Sequence, residues 1–166
     1  NTLDGNTSGT VNAATVTSLS GTADTTSTAL SSNGITGIGS AAVTLTDTSV
    51  TATSLVVLDG KTTGAINAGT VTSITGTAAA SDAVITSTGI TGLGSEAVTL
   101  TGTSAIASTL NSLDGNTTGT IDASALTTLT GSGADAKTAF ESDGISGLTF
   151  DAANYLASYG DLLDAY

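Results

Sequence analysis

The stretch "LDGNTSGTVNAATVTSLSG" begins at Leu3, "LDGKTTGAINAGTVTSITG" at Leu58 and "LDGNTTGTIDASALTTLTG" at Leu113, so one pattern returns with a 55-residue period and no gap. Residues 1–55 and 56–110 are identical at 30 of 55 aligned positions, and the third copy follows through Leu148. A fixed period of this kind marks a solenoid or an array of modules. A lone 55-residue module buries too small a fraction of its surface to be more than marginal. No Pro-rich or charged linker separates the copies, which favours stacking over beads on a string.

The apolar positions repeat while the polar letters between them drift. Val11, Ile66 and Ile121 correspond, as do Val16, Val71 and Leu126, and Leu19, Ile74 and Leu129. Ile35, Ile90 and Ile145 form a further set, and Val43 matches Val98. The expectation is that equivalent side chains stack on one another in ladders and bury one continuous core.

Local patterns supply both strands and helices. "AVTLT" at 97–101 alternates with period two; "GTID" at 119–122 and "GISGL" at 144–148 are shorter strand candidates. Ile106, Leu110 and Leu113 have helical spacing within 103–115, with Thr103 or Ser104 as N-cap and Gly115 as a left-handed C-terminal stop. A second helix is expected within 132–144, with Ala136, Ala139 and Phe140 on one face. Two architectures fit. The preferred one is a solenoid of short parallel strands returning through helical turns, with two unequal coils per repeat. The alternative is an all-β solenoid with three coils of about eighteen residues. It rests on the 5-then-3 spacing shared by Ile121, Leu126, Leu129 and by Phe140, Ile145, Leu148.

The organisation read from the sequence is a repeat region, 1–148, made of 1–55, 56–110 and a partial 111–148. Residues 149–166 follow as a helical cap or the start of a next module. Thr149 stands where the earlier copies have Gly39 and Gly94, and all three tyrosines lie beyond it. Asn1 falls inside a repeat, which reads as a fragment or processed piece of a longer chain.

Composition narrows the function classes. The net charge is −12, with Lys61 and Lys137 the only cations, and the chain holds no His, Cys or Arg. Such a surface repels nucleic acid and anionic membranes. No apolar run reaches the roughly 18 residues of a transmembrane helix, so membrane insertion is not expected. Most nucleophile–base pairs cannot be built without His or Cys. Asp82, Asp135, Glu141 and Asp143 are scattered among turns rather than paired as in a glycosidase. The chain is therefore expected not to be an enzyme.

In "LDGNTTGTID", Asp114, Asn116, Thr118, Gly119 and Asp122 occupy positions 1, 3, 5, 6 and 9 of a calcium loop, and Asp4 and Asn6 repeat its start. Against this, Lys61 replaces a ligand in the second copy. Position 12, where a bidentate Glu belongs, is Thr15, Thr70 or Ala125. The pattern reads better as a turn that leaves a helical segment and re-enters a strand. No metal or cofactor is therefore expected, with calcium as the one candidate. Thr44, Thr46, Thr48 and Thr99, Thr101, Thr103 alternate as a flat hydroxyl array would, but only once per period. Asn6 and Asn116 begin Asn-x-Ser/Thr triplets, which such a composition produces by chance.

The run "ITGLGSEAVTLTGTSAIASTLNSLDGNTTGTIDASALTTLTG" resembles tandem repeats of very large secreted or surface-associated bacterial proteins. "NYLASYGDLLDAY" resembles a short helical motif that recurs in such proteins, sometimes beside haemolysin-type calcium repeats. The resemblance implies a structural or adhesive role at the cell surface or outside the cell, and supplies no catalytic residue. The function expected is that of a stiff spacer, filament or adhesin stalk associating end to end. A calcium-dependent or surface-binding adhesion module is the alternative.

Overall fold

A strand that pairs with a later return of the chain across a helical crossover pairs in parallel. The computed structural model, which describes residues 2–149, has this arrangement. Six helices are present among the described residues: α1 (Thr2–Gly5), α2 (Ala23–Ser31), α3 (Ala52–Asp59), α4 (Ala78–Ile85), α5 (Ala107–Asn116) and α6 (Gly133–Glu141). Strands β1 (Val11–Asn12) and β2 (Ser18–Gly21) follow α1. Strands β3 (Ile35–Thr36), β4 (Ala42–Leu45) and β5 (Ser49–Thr51) follow α2. Next come β6 (Ile66–Asn67) and β7 (Ser73–Gly76), then β8 (Ile90–Thr91), β9 (Ala97–Leu100) and β10 (Ser104–Ile106). Strands β11 (Ile121–Asp122) and β12 (Thr128–Thr130) lie between α5 and α6, and β13 (Ile145–Ser146) follows α6. The helices exclude the all-β alternative. The expected strands at 97–101, 119–122 and 144–148 appear as β9, β11 and β13.

Every pairing is parallel and joins a strand to the one two places later. Among the described residues four sheets result, ordered β1-β3, β2-β4-β6-β8, β5-β7-β9-β11-β13 and β10-β12. In the longest, Val50, Ile74, Val98, Ile121 and Ile145 stand side by side in register. Leu19, Val43, Ile66 and Ile90 do the same in the second sheet. Hydroxyls follow the same step. Thr63, Thr72, Thr118 and Thr127 each donate to a backbone carbonyl 24 residues earlier. The chain thus returns to itself in less than half of the sequence period.

This overturns the expected ladders of equivalent residues. Val11, Ile66 and Ile121 lie in the first, second and third sheets, and Leu19, Ile74 and Leu129 in the second, third and fourth. Ile145 stacks on Ile121 rather than on Ile35 or Ile90. The physical reason is that 55 is not a multiple of the pairing interval, so each copy enters the next sheet along. The side chains still form ladders, but from different positions of the repeat. β-Branched or leucine side chains at all of those positions let any of them sit on any other.

The inward rows make the core. Val43, Leu45, Ile66, Ile74, Val98, Leu100 and Ile121 are buried, together with Leu55, Leu58, Leu110 and Leu113 from the helices. Successive helices from α2 onward pack on one another. Their starts at Ala23, Ala52, Ala78, Ala107 and Gly133 alternate between a longer and a shorter step. Thr22, Thr77 and Ser132 cap α2, α4 and α6, each side chain accepting the amide three residues on. Thr51 does so for α3. The expected cap of α5 at Thr103 or Ser104 is displaced. Residues 104–106 form β10, the cap position is Ile106 without a side-chain bond, and the helix runs through Gly115 to Asn116. Pairing of β10 with β12 takes precedence over the local capping signal. The helical reading of 149–166 falls almost wholly outside the described residues.

Two measurements follow from this packing. In a double-mutant cycle, Ile121→Ala and Ile145→Ala should couple by about 0.5–3 kcal/mol, because they touch in one ladder. Ile90→Ala and Ile145→Ala, which the 55-residue period would pair, should add to within about 0.5 kcal/mol. Separately, Ile106→Thr should restore the cap that Thr51 gives α3 and remove an exposed apolar side chain. A gain of about 1 kcal/mol in denaturant unfolding is expected.

Candidate functional site

Each helix hands the chain to its next strand through a Ser/Thr-x-Gly turn. In Thr7, Ser32, Thr62, Ser87, Thr117 and Ser142 the hydroxyl oxygen accepts from the amide of the glycine two residues on, at 2.9–3.1 Å. The hydroxyl proton is then free to reach an earlier turn of the chain, and it does so in two ways. Ser32, Ser87 and Ser142 donate to the carboxylates of Asp4, Asp59 and Asp114, 28 residues earlier, at 2.6, 3.0 and 2.7 Å. Thr62 and Thr117, both buried, donate to the carbonyls of Ala41 and Glu96 at 2.8 and 3.1 Å.

The glycines are dictated by the same contacts. A Cβ on Gly34, Gly89 or Gly144 would collide with the Asp4, Asp59 or Asp114 carboxylate. On Gly64 or Gly119 it would collide with the backbone carbonyl of Ala41 or Glu96. The Asp of each "LDG" and the "SNG", "STG" or "SDG" that follows it are therefore two halves of one clasp.

Five of the six calcium candidates are hydrogen-bonded within the frame. Asp114 holds Ser142. Asn116 donates its amide to the Ser112 carbonyl, and Thr118 its hydroxyl to the Gly94 carbonyl. Asp122 accepts the Ser124 amide at 3.0 Å in a tight turn of its own. The Ser124 hydroxyl, and after it the Ser124 amide, hold the Asp122 carboxyl below its ordinary range. Asp4 holds Ser32, while Asn6 sits exposed past the end of α1. Among the described residues no group of three or more His, Cys, Asp or Glu side chains is placed to hold a metal ion.

Several of the remaining polar residues also serve the frame. Asn12 and Asn67 make the same turn as Asp122, accepting the amides of Ala14 and Gly69. Thr36, Thr91 and Ser146 donate to the carbonyls of Val11, Ile66 and Ile121 in the neighbouring strand. Gly37, Gly92 and Gly147 follow them with φ between 81° and 87°, a conformation glycine adopts without strain. Asp47 caps α2 from outside, accepting the Ala23 amide at 2.8 Å. Of the scattered carboxylates, Asp135 bonds Ser132 and Glu141 pairs with Lys137.

Glu96 is a site the sequence reading passed over. It is buried where the first copy has Ala41. One oxygen accepts the amides of Gly94 and Ser95 at 2.7 and 3.1 Å; the other has no hydrogen-bond partner among the described residues. Its only signal in the sequence is a charge at a position that is apolar one period earlier.

The outer face of the sheets carries hydroxyls across strands rather than along them. Ser20, Thr44, Asn67 and Thr91 stand in one register row. Thr51, Thr75, Thr99, Asp122 and Ser146 stand in another. Thr46 and Thr48 lie beyond the end of β4, and Thr101 and Thr103 beyond the end of β9, so neither alternating threonine run forms a flat array along one strand. No helix among the described residues is long and apolar enough to cross a membrane. No protein-family model, curated protein or solved structure matches this chain.

The clasp can be tested by a paired substitution. Gly89→Ala should destabilise by about 1–3 kcal/mol through overpacking against Asp59. Most of that cost should vanish in an Asp59→Ala background, since the collision is with a side chain. Gly64→Ala, which meets backbone, should have no such rescue. Urea unfolding of the single and double variants reads the difference.

Proposed function

We propose that the chain is a structural segment of a secreted or cell-surface bacterial protein. It would be wound as a repeat solenoid and act as a stiff spacer, filament or adhesin stalk that associates end to end. The observation carrying this reading is that parallel pairing crosses the boundaries between copies without interruption. Val43 pairs with Ile66 across the first boundary and Val98 with Ile121 across the second. Units joined in this way cannot rotate or bend independently, which is what a spacer needs.

The register supports a specific winding. Four turns carry the chain from Val50 to Ile145, so one 55-residue unit makes about two and one-third turns. Each unit is then rotated by about a third of a turn from the last, and three units bring the chain back into phase after about seven. The stepping of equivalent residues from sheet to sheet supports a three-sided cross-section, with the helices winding round it as a staircase. At roughly 4.8 Å per turn, a unit advances the axis by about 11 Å.

The exposed surface fits the role. Hydroxyl rows and carboxylates keep the flanks hydrated, and the net charge of −12 discourages side-by-side clumping. Nucleic acid and anionic membranes are poor partners for such a surface. The role needs no catalytic residue.

Concatenated chains carrying increasing numbers of 55-residue units test the reading by small-angle scattering. The longest dimension should grow by about 11 Å per unit. Independent modules would add roughly 25 Å each, the diameter of a compact domain of that size. A calcium-selective rise in melting temperature, lost in Asp114→Ala, would instead favour a calcium-dependent adhesion module.

A further inference from the structure

The residues that open each copy have different fates. Leu58 and Leu113 are fully buried, yet the equivalent Leu3 is 67% exposed. Val71 and Leu126 are 4% and 7% exposed, against 37% for Val16. Thr62 and Thr117 are buried with their hydroxyls on carbonyls 21 residues earlier, while Thr7 is exposed. Gly64 and Gly119 are pressed against backbone, whereas a Cβ on Gly9 would meet only the Thr7 hydroxyl, at 3.7 Å. Ile66 and Ile121 have a strand on either side; among the described residues Val11 pairs only with Ile35.

These differences have one common factor. In the second and third copies, each of these positions is covered by the turn of chain that comes before it. We propose that the face formed by Leu3, Thr7, Gly9, Val11, Val16 and Leu19 is a docking surface for another copy of the chain's own 55-residue unit. The inference rests on the stacked-unit reading and adds to it the partner and its register. The seated unit would place its Glu96 carbonyl on the Thr7 hydroxyl, as Glu96 sits on Thr117. Its Val98 would lie beside Val11, as it lies beside Ile121, and its Ala105 beside Leu19, as beside Leu129.

The occupant is identified by complementarity, not by apolarity alone. The face offers a backbone-sized recess over Gly9, a hydroxyl donor at Thr7 and two amides unused among the described residues. These are Ser8, whose equivalents Thr63 and Thr118 donate to Gly39 and Gly94, and Thr17, whose equivalents Thr72 and Thr127 donate to Thr48 and Thr103. The chain's own turn at 94–96 and strands β9 and β10 already satisfy this set of features further along the chain. A generic apolar helix would bury Leu3 and Val16 but leave the recess and both amides unfilled.

The test is a chain extended by one unit, with residues 56–110 placed directly before Asn1 so that the period continues unbroken. Hydrogen exchange of the Ser8 and Thr17 amides is compared between the parent and the extended chain. At least tenfold slower exchange at both amides in the extended chain is expected. Gly9→Ala should leave the parent unchanged yet abolish that protection, because only in the extended chain does a carbonyl fill the recess. Thr7→Val removes the Gly9 amide bond in both chains and should weaken the extended chain more than the parent, because only there is the donor to the seated carbonyl also lost. Parent-like exchange at Ser8 and Thr17, with the added unit melting separately, would overturn the proposal and leave the face to a partner of different sequence. Sedimentation of the parent separates the two readings. Slowed exchange in the extended chain with a strictly monomeric parent supports the docking surface while removing association between separate molecules from the proposed function.

Discussion

Parallel pairing of each strand with the next return of the chain, Val50 on Ile74 and Ile74 on Val98, is the constraint on which the rest of the molecule depends. Parallel strands need a crossover, and among the described residues every crossover runs through a helix and the Ser/Thr-x-Gly turn that follows it. The length of that crossover sets where the next strand lands. Because the sequence repeats at 55 and the pairing does not, equivalent side chains are carried into different sheets. Every apolar position must then be compatible with several neighbours. Val50, Ile74, Val98, Ile121 and Ile145 come from five different positions of the repeat, yet they make one ladder. Uniform β-branched shape is what allows this interchange.

The polar letters answer to the same constraint. A carboxylate that looks like a metal ligand, Asp114, is committed to the serine hydroxyl 28 residues later, and Asp4 and Asp59 repeat the bond. Each clasp joins one pass of the chain to a later one, so it acts at long range although its two halves are short sequence patterns. Thr62 and Thr117 do the same with backbone carbonyls. Buried hydroxyls without such partners would be costly. Here they convert that cost into a register lock. Not every buried polar atom is used this way: among the described residues Ser81 Oγ, Asp82 Oδ1, Asn111 Oδ1 and one oxygen of Glu96 have no hydrogen-bond partner.

Much of this was legible in the residues. The period, the alternation at 97–101, the mixed helix-and-strand character and the turn reading of "LDGNTTG" all follow from local chemistry. The register was not legible, because pairing distance is set by the geometry of the crossover rather than by the repeat length. Identical letters one period apart invite the wrong partner. The cap of α5 was misplaced for a related reason. Thr103 and Ser104 are good capping residues, but β10 pairs with β12 and moves the helix start to Ala107. The Asp–Ser–Gly clasps could have been found as co-recurring residues, since Asp4, Ser32 and Gly34 recur together as Asp59, Ser87, Gly89 and as Asp114, Ser142, Gly144.

Stacking follows the short return of the chain and not the 55-residue period. Methyl–methyl nuclear Overhauser contacts measure this directly. A strong contact between Val43 and Ile66 is predicted, with none between Val43 and its equivalent Val98. A Val43–Val98 contact with the Val43–Ile66 contact missing would contradict the register, and with it the winding of the chain.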